Sequence, residues 1–378
     1  MKILLVGEVY SKNIGDPLLC ETVRAVIHEA YPQAQILPLD LSGKTGFDSY
    51  HCPTVYSTHQ RWYFRISCFF PKLCRLSPLY RAYQADESRH TQALSHLEEL
   101  LQQHRFDAAV FAGGALFMDY FSAVICGITA RLAEARIPVM FHACGMGPLD
   151  RGNIRLLQRS FCRKNVGWIS LRDSFPRFSK LFHCRCPVEE TFDTALLSSR
   201  YFPTSGDASS LGIGIMEGAQ HYAFQKELIS TVSRTQASWK LFTNGSPGDS
   251  QTAYRLADEL SIPHDRICCP KTPEELIQIV SGFQKIISLR MHSQIAAMSC
   301  GVPSFGFVWD DKIVDLYQKL GLPENCAHMD TAPDLERILH KLSIPSERLQ
   351  KIALDAGEHS KKSLLTGLSV ILSREVSK

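Results

Sequence analysis

The amino-terminal stretch MKILLVGEVYSKNIGDPLLCETV, residues 1–23, decides the fold class of this chain. Residues 2–9 form a short apolar run, which is typical of a buried parallel strand. After a turn over residues 11–15, Asp16 can cap a helix that carries Pro17 at its first position. The order of strand, glycine turn and helix predicts the start of an α/β unit.

The same pattern returns along the chain and predicts a doubly wound α/β fold. In the first half, apolar runs that suit buried strands follow at residues 35–39, 108–111, 139–143 and 166–170. Helical stretches separate these runs. This alternation predicts a parallel sheet with helices on both faces.

The polar, turn-rich stretch 199–210 separates this series from a second one. The alternation then starts again, with apolar runs at residues 211–216, 240–243, 266–269, 285–289 and 304–308. We therefore predict two Rossmann-like domains that face a cleft: an N-terminal domain at 1–204, a C-terminal domain at 205–345, and a helical segment at 346–378. Ligands of such folds bind beyond the carboxyl ends of the strands, so the residues that follow each strand are candidate site residues.

Length and composition limit the possible functions. A chain of 378 residues is too long for a single hydrophobic core, which agrees with two domains. The net charge of +3 is too small for a protein that binds duplex nucleic acid. The 13 scattered cysteines indicate free thiols in a reducing, cytoplasmic compartment, and they lack the spacing of a metal site. No apolar run is long enough to predict a membrane-spanning helix.

One insertion, residues 49–85, departs from the α/β pattern because it contains no Asp or Glu. Arg and Lys alternate there with aromatic residues, as in Arg61-Trp62-Tyr63-Phe64-Arg65. Such a stretch can contact a membrane surface, because aromatic rings settle at interfaces and cations attract anionic head groups. It can equally be a helical pair whose aromatic residues pack on the first domain. Both interpretations stay open.

Two candidate residues follow the predicted strand at 285–289, where Arg290-Met291-His292-Ser293 leads into an apolar helix. A guanidinium binds carboxylate or phosphate, and the helix start adds N–H donors for an anion. An imidazole can act there as a general acid or base. The alternative is that His292 caps the helix and Arg290 pairs with a surface carboxylate. The position at a strand end favours function.

The first domain offers a matching set. Arg172 follows the strand at 166–170 and can supply a second cation across the cleft, while Asp173 can cap the next helix. Gly114 follows another strand and permits close approach of a ligand to the backbone, and Asp119 lies just beyond it. Each of these signals also has a purely structural explanation. The phosphate-binding motifs of P-loop and dinucleotide-binding proteins are absent.

Taken together, the motifs occur in an order that resembles the polysaccharide pyruvyl transferase family. The resemblance rests on Asn13-Ile14-Gly15-Asp16, Gly113-Gly114-x-Leu116-x-x-Asp119, Gly145-x-Gly147-Pro148, Ser170-x-Arg172-Asp173, Phe192-Asp193, Thr243-Asn244-Gly245, and Ser288-x-Arg290-x-His292 with Gly301-Val302-Pro303. It spans nearly the whole chain. It implies a glycosyltransferase-B-like pair of domains that moves the enolpyruvyl part of phosphoenolpyruvate onto a sugar and forms a cyclic pyruvate ketal.

The resemblance implies that the acceptor binds on the side of the N-terminal domain and phosphoenolpyruvate on the side of the C-terminal domain. It also implies roles for individual residues. Arg172 and Arg290 would hold the carboxylate and phosphate of phosphoenolpyruvate, with the Met291 backbone as a further donor and His292 as the general acid. Asp16 or Asp119 would be the base towards the acceptor, and Asn13 and Gly114 belong to the same substrate-binding set. No cofactor or metal is implied, since phosphoenolpyruvate is a co-substrate.

The acceptor is expected to be a sugar of a cell-surface polysaccharide precursor, with a lipid-linked saccharide as the working hypothesis. The expected location is cytoplasmic, with a peripheral contact at the inner membrane face if residues 49–85 bind lipid. Two alternatives remain open. One is a nucleotide-sugar-dependent glycosyltransferase on the same architecture. The other is a non-catalytic scaffold, against which Arg172, Arg290 and His292 stand.

Overall fold

Two parallel sheets of six strands each form the framework of the protein. The structure is a computed structural model that describes residues 1–47, 87–206, 209–329 and 334–373. The basic and aromatic insertion at 49–85 lies outside the described residues. Its contact with a membrane therefore stays a prediction.

The first sheet and its helices come mostly from the N-terminal half. In chain order they are β1 (Lys2–Gly7), α1 (Gly15–Ala30), β2 (Gln35–Asp40), α2 (Glu87–Gln103), β3 (Ala108–Ala112), α3 (Asp119–Glu134), β4 (Val139–Cys144), α4 (Arg151–Phe161), β5 (Val166–Leu171), α5 (Phe175–Leu181), β6 (Val188–Glu190) and α6 (Ser198–Tyr201).

The second sheet and its helices follow, and a last helix ends the described chain. These elements are β7 (Ser210–Gly214), α7 (Ala219–Thr235), β8 (Trp239–Phe242), α8 (Pro247–Glu259), β9 (Ile267–Cys268), α9 (Pro273–Ser281), β10 (Phe283–Ser288), α10 (Met291–Ser299), β11 (Ser304–Val308), α11 (Asp311–Lys319), β12 (Cys326–His328), α12 (Leu335–Lys341) and α13 (Ser346–Ser373).

The strand order places a ligand crevice in each domain. The first sheet has the order β2-β1-β3-β4-β5-β6 and the second β12-β11-β10-β7-β8-β9, and neighbouring strands are parallel. The order reverses between β1 and β3 in the first sheet, and between β7 and β10 in the second. Such reversals open a crevice at the carboxyl ends of the strands. The predicted fold class, two doubly wound α/β domains, is confirmed.

The last helix, α13, leaves the second domain and packs on the first. Gly367 lies so close to β4 and β5 that a Cβ there would stand 2.7 Å from Met140 Cε and from Trp168 Cδ1. Ser360 on the same helix bonds the hydroxyl of Thr194 at 2.9 Å. The first domain is thus completed by the far end of the chain.

Two helix caps predicted from the sequence are wrong. Helix α1 begins two residues earlier than expected, and Asp16 lies in its first turn, where its carboxylate accepts from Asn13 Nδ2 at 2.8 Å. Asp173 does not cap α5, because its Oδ1 accepts from the N–H of Met146 at 3.0 Å. Both carboxylates bind longer-range partners that helix-start patterns do not reveal.

Candidate active site

Two side chains from opposite domains meet in the cleft: Arg172, which follows β5, and His292, in the first turn of α10. Arg172 Nη1 lies 3.0 Å from His292 Nε2, and both side chains are buried. A guanidinium only donates, so Nε2 is the acceptor in this contact. The proposed anion-binding group and the proposed acid therefore touch.

Asp193, just after β6, holds this pair in place. Its Oδ1 accepts from the N–H of Ala195 at 2.9 Å and caps a short 3₁₀ turn. Its Oδ2 forms an ion pair with Arg172 and lies 3.7 Å from His292 Nε2. Burial, the largest single influence, would raise the pKa of Asp193, but the Arg172 guanidinium, His292 and the N–H of Ala195 together outweigh burial and hold this pKa below its usual range. Asp193 is therefore a fixed negative charge at the centre of the site.

A directed chain of hydrogen bonds reaches Asp16 from the second domain. Ser293 Oγ donates to Asn244 Oδ1 at 3.2 Å, and Asn244 Nδ2 donates to Asn13 Oδ1 at 2.5 Å. Asn13 Nδ2 then donates to Asp16 Oδ2 at 2.8 Å. Because the last acceptor is a carboxylate, each amide in the chain has a single orientation.

This chain aims Asp16 at the catalytic candidate His292. Asp16 Oδ1 lies 3.9 Å from His292 Nδ1. Gly15 makes the approach possible, because a Cβ there would stand 2.3 Å from the imidazole. Gly114 has a φ of +76°, which favours glycine, and a Cβ on it would lie 3.7 Å from Asp16 Oδ1. The structure thus brings together Asn13, Asp16, Gly114 and His292.

Arg290 belongs to the crevice of the second domain, between β7 and β10. Its Nε and Nη2 donate to the two carboxylate oxygens of Asp249 at 2.9 and 2.5 Å. Glu217 Oε1 lies 3.9 Å from Nη2 on the same side. Nη1 takes no part in the ion pair with Asp249, and the Arg290 side chain is 18% exposed. Arg290 is therefore oriented by a buried partner while part of its guanidinium reaches the cleft.

A small cavity of about 20 Å³ lies in the seam between the domains, lined by Arg172, Asp193, Met291, Lys312 and Lys319 among others. This volume has room for about one water molecule. Lys319 Nζ closes the seam by donating to the carbonyl oxygens of Arg172 at 2.9 Å and Thr191 at 2.6 Å. A ligand with two anionic groups fits here only when the domains move apart.

The two predicted acceptor bases have different surroundings. Asp16 faces His292, as described above. Asp119 begins α3, and its Oδ1 accepts from the N–H of Asp150 at 2.7 Å and from Asn153 Nδ2 at 3.0 Å. These bonds fasten the start of α3 to the start of α4. The approach of Asp16 to His292, the proposed acid, therefore favours Asp16 as the base towards the acceptor.

Sequence patterns assign no role to four polar residues that shape the site: Glu8, Asp193, Asn244 and Asp249. Glu8 and Asn244 follow β1 and β8, so the strand-end rule points to them. Burial, then Asp16 and Asp40, raise the pKa of Glu8 well above its ordinary value. Asp249 lies inside α8 and carries no local signal, because its partner Arg290 is 41 residues away.

Within the described ranges there is neither a metal-binding cluster nor a membrane-spanning helix. No three His, Cys, Asp or Glu residues there come together in a way that could hold a metal ion. No described helix is both long and apolar enough to cross a bilayer.

Comparison with solved structures finds the same architecture over the whole length of other chains. UDP-GlcNAc 2-epimerase from Neisseria meningitidis, bound to UDP-GlcNAc, matches with a TM-score of 0.56 and 14% identity, covering 98% of this chain and 100% of that chain. The glycosyltransferase SnogD from Streptomyces nogalater matches with 0.53 and 14%, covering 98% and 99%. HepE from Anabaena, in complex with UDP and glucose, matches with 0.56 and 11%, covering 98% and 99%. At these identities the matches establish the fold alone, which is glycosyltransferase-B-like.

Family membership comes from the sequence itself. No curated protein matches the chain. The family model of polysaccharide pyruvyl transferases, however, matches residues 13–311, which include every motif quoted above. The chain belongs to the polysaccharide pyruvyl transferase family.

Proposed function

We propose that the protein transfers pyruvate from phosphoenolpyruvate to a sugar of a cell-surface polysaccharide precursor and forms a pyruvate ketal. The contact of Arg172 with His292 across the cleft carries this proposal. It joins an anion-binding group from one domain to a proton-transfer group from the other. Phosphoenolpyruvate needs both, since it has two anionic groups and a methylene carbon that must gain a proton.

The proposed reaction uses the residues around this contact. His292 donates a proton to the methylene carbon, and C2 gains cationic character. One sugar hydroxyl attacks C2 and loses its proton to Asp16. The bond between C2 and the phosphate oxygen then breaks and phosphate leaves with the electron pair. A neighbouring hydroxyl attacks C2, and its proton passes to the released phosphate. The products are the ketal and phosphate, so the scheme needs no oxidant or reductant.

The charged side chains of the seam support donor binding. Arg172 and Arg290 each have a buried carboxylate partner that fixes the direction of the guanidinium. Lys312, which lines the small cavity, adds a further cation. Such fixed donors stabilise the charge that develops on the leaving phosphate without reorganising during the reaction.

A direct assay tests this proposal. The protein is incubated with phosphoenolpyruvate and a panel of free and lipid-linked glycosides, and released phosphate and ketal product are measured by colorimetry and mass spectrometry. We expect phosphate release that depends on the glycoside. Turnover of nucleotide sugars without phosphoenolpyruvate would instead support a glycosyltransferase, and no turnover with any donor would support a scaffold.

The lipid-linked acceptor is the finer part of the proposal, and residues 49–85 are its local support. Liposomes with anionic lipids should sediment the wild-type protein. A variant in which Arg61, Arg65 and Arg75 are replaced by Gln should sediment less. Equal sedimentation of both proteins would speak against membrane contact through these residues and would leave the donor chemistry untouched.

A further inference from the structure

Trp309 stands directly after β11, at the cleft edge of the second sheet. It is one of four large apolar side chains that are exposed in the described part of the chain, with 38% of its surface accessible. Its Nε1 donates to the carbonyl oxygen of Leu289 at 2.7 Å. The polar edge of the indole is thus satisfied by the protein beside Arg290, and what remains accessible on the ring is apolar.

Polar groups surround this ring. The imidazole of His221 has its centroid 6.3 Å from the Trp309 ring, and Lys312 Nζ lies over one face of the ring, 4.6 Å from its centroid. Glu217, close in sequence to His221, contacts Arg290 at 3.9 Å. We call Trp309, His221, Glu217, Arg290 and Lys312 the Trp309 patch. It lies where the strand order of the second sheet reverses, which is the expected ligand crevice.

The patch carries little net charge despite its ionisable groups. Arg290 is balanced by Asp249, and Lys312 has Asp310 at 3.3 Å. Burial and the Asp249 carboxylate raise the pKa of Glu217, while burial and Arg290 lower the pKa of His221. The paired charges and the accessible surface of the ring therefore suit a neutral, hydroxyl-rich ligand with one apolar face.

We propose that the Trp309 patch extends the acceptor site onto the second domain and binds a pyranose ring there, with the C–H face of the sugar stacked on the side of the indole opposite Lys312. Glu217 and His221 accept or donate hydrogen bonds to the sugar hydroxyls, while Arg290 faces the phosphoenolpyruvate anion. Amphipathic aromatic rings fixed by their own hydrogen bond make rigid contact surfaces, and a few polar groups around them set ligand orientation. The identification of the bound sugar as the acceptor rests on the proposed function.

Binding is tested without phosphoenolpyruvate. Saturation-transfer NMR and tryptophan fluorescence are recorded with methyl glucoside, galactoside and mannoside on the wild type, Trp309→Ala and Trp309→Phe. We expect the strongest saturation on the protons of one sugar face and about five- to tenfold weaker binding to Trp309→Ala. Trp309→Phe should keep most of the binding and lose the fluorescence change. Tyr254→Ala, another exposed aromatic, is the matched control and should bind like the wild type.

The transfer assay then separates this inference from the proposed function. Trp309→Ala should raise the KM for the acceptor and leave the KM for phosphoenolpyruvate unchanged. Equal glycoside binding by Trp309→Ala and wild type, or binding of UMP but no glycoside, overturns the subsite. If Trp309→Ala does not fold, the wild-type protein provides the test. Tryptophan fluorescence that does not change with any glycoside then also overturns the subsite. Glycoside binding that depends on Trp309 in a protein that never consumes phosphoenolpyruvate would retain the subsite and refute the proposed function.

Discussion

Arg172 and Arg290 occupy matching positions, each just beyond a strand at the cleft edge of its own sheet, yet their surroundings differ. Arg172 is 4% exposed and contacts Asp193, Asp173 and, across the cleft, His292. Arg290 is 18% exposed and binds Asp249, a residue of its own domain. The first arginine therefore depends on how the domains meet, whereas the second is held by one domain alone. The site is assembled asymmetrically.

Removal of the imidazole should have the largest effect, because His292 is the group through which Arg172 reaches the second domain. His292→Ala should lower phosphate release by about 10²- to 10⁴-fold, the usual contribution of a general acid. Binding of phosphoenolpyruvate, measured by calorimetry, should change little. His264→Ala, which replaces an exposed histidine on the same domain, is the control and should retain activity. An unfolded His292→Ala variant would indicate a structural role.

The carboxylate partners of the two arginines allow a direct comparison of stability. Asp193→Asn leaves the buried guanidinium with only its longer contact to Asp173, at 3.4 Å, and should lower the free energy of unfolding by about 3–5 kcal/mol. Asp249→Asn should cost only about 1–3 kcal/mol, because part of Arg290 reaches water. Chemical denaturation of both variants measures the difference. Equal losses would mean that the two arginines are not distinguished by their environment.

The hydrogen-bond chain through Asn244 provides a smaller and more specific test. Asn244→Ala removes the link between Ser293 and Asn13, so Asp16 loses its fixed direction towards His292. We expect kcat to fall about tenfold, with the KM for phosphoenolpyruvate nearly unchanged. Asn325→Ala, a buried asparagine that bonds the carbonyl of Ser304, should lower stability but not kcat. A loss of activity in both variants that only follows their stability would contradict a positioning role.

The pH dependence of stability distinguishes the contribution of the ion pair between Arg172 and Asp193 from that of the buried side chain of His142. Burial lowers the pKa of His142 to about 3, against about 6.5 in an unfolded chain. Between these values the unfolded chain binds a proton that the folded protein does not. Stability should therefore fall as the pH drops below about 6.5, by about 1 kcal/mol for each pH unit.

The contribution of Asp193 is also lost as the pH falls, because its folded pKa is depressed, but this loss begins only near the unfolded value of about 4. Between about pH 6 and pH 4, Glu8 acts in the opposite direction because its pKa is raised in the folded protein, so the difference between the wild type and a His142 variant isolates His142. His142→Gln should flatten the curve in this window. A curve that keeps its slope would assign the pH dependence to other groups.

The sequence predicts most of the framework because buried parallel strands are short apolar runs with local boundaries. It also points to Arg172, Arg290 and His292, since each follows such a run. It fails where the partner is distant in the chain. Asp193 and Asp249 are separated from their arginines by 21 and 41 residues, and no periodicity connects them.

The helix caps show the same limit from the other side. Asp16 and Asp173 match helix-start patterns, yet their carboxylates bind Asn13 and Met146 instead. A local pattern states what a residue can do, whereas the fold offers it competing partners. At the cleft, those competing partners are residues of the candidate active site or lie next to it.

The crossing of α13 back to the first sheet has a consequence for how the protein is made. Met140 and Trp168 are synthesised early, but Gly367, which packs against them, leaves the ribosome only after the whole second domain. The second domain has a contiguous sequence and can fold first, while the first waits with an open flank for its final helix. We therefore expect truncation after residue 345 to unfold the domain made first in synthesis rather than the one nearer the cut.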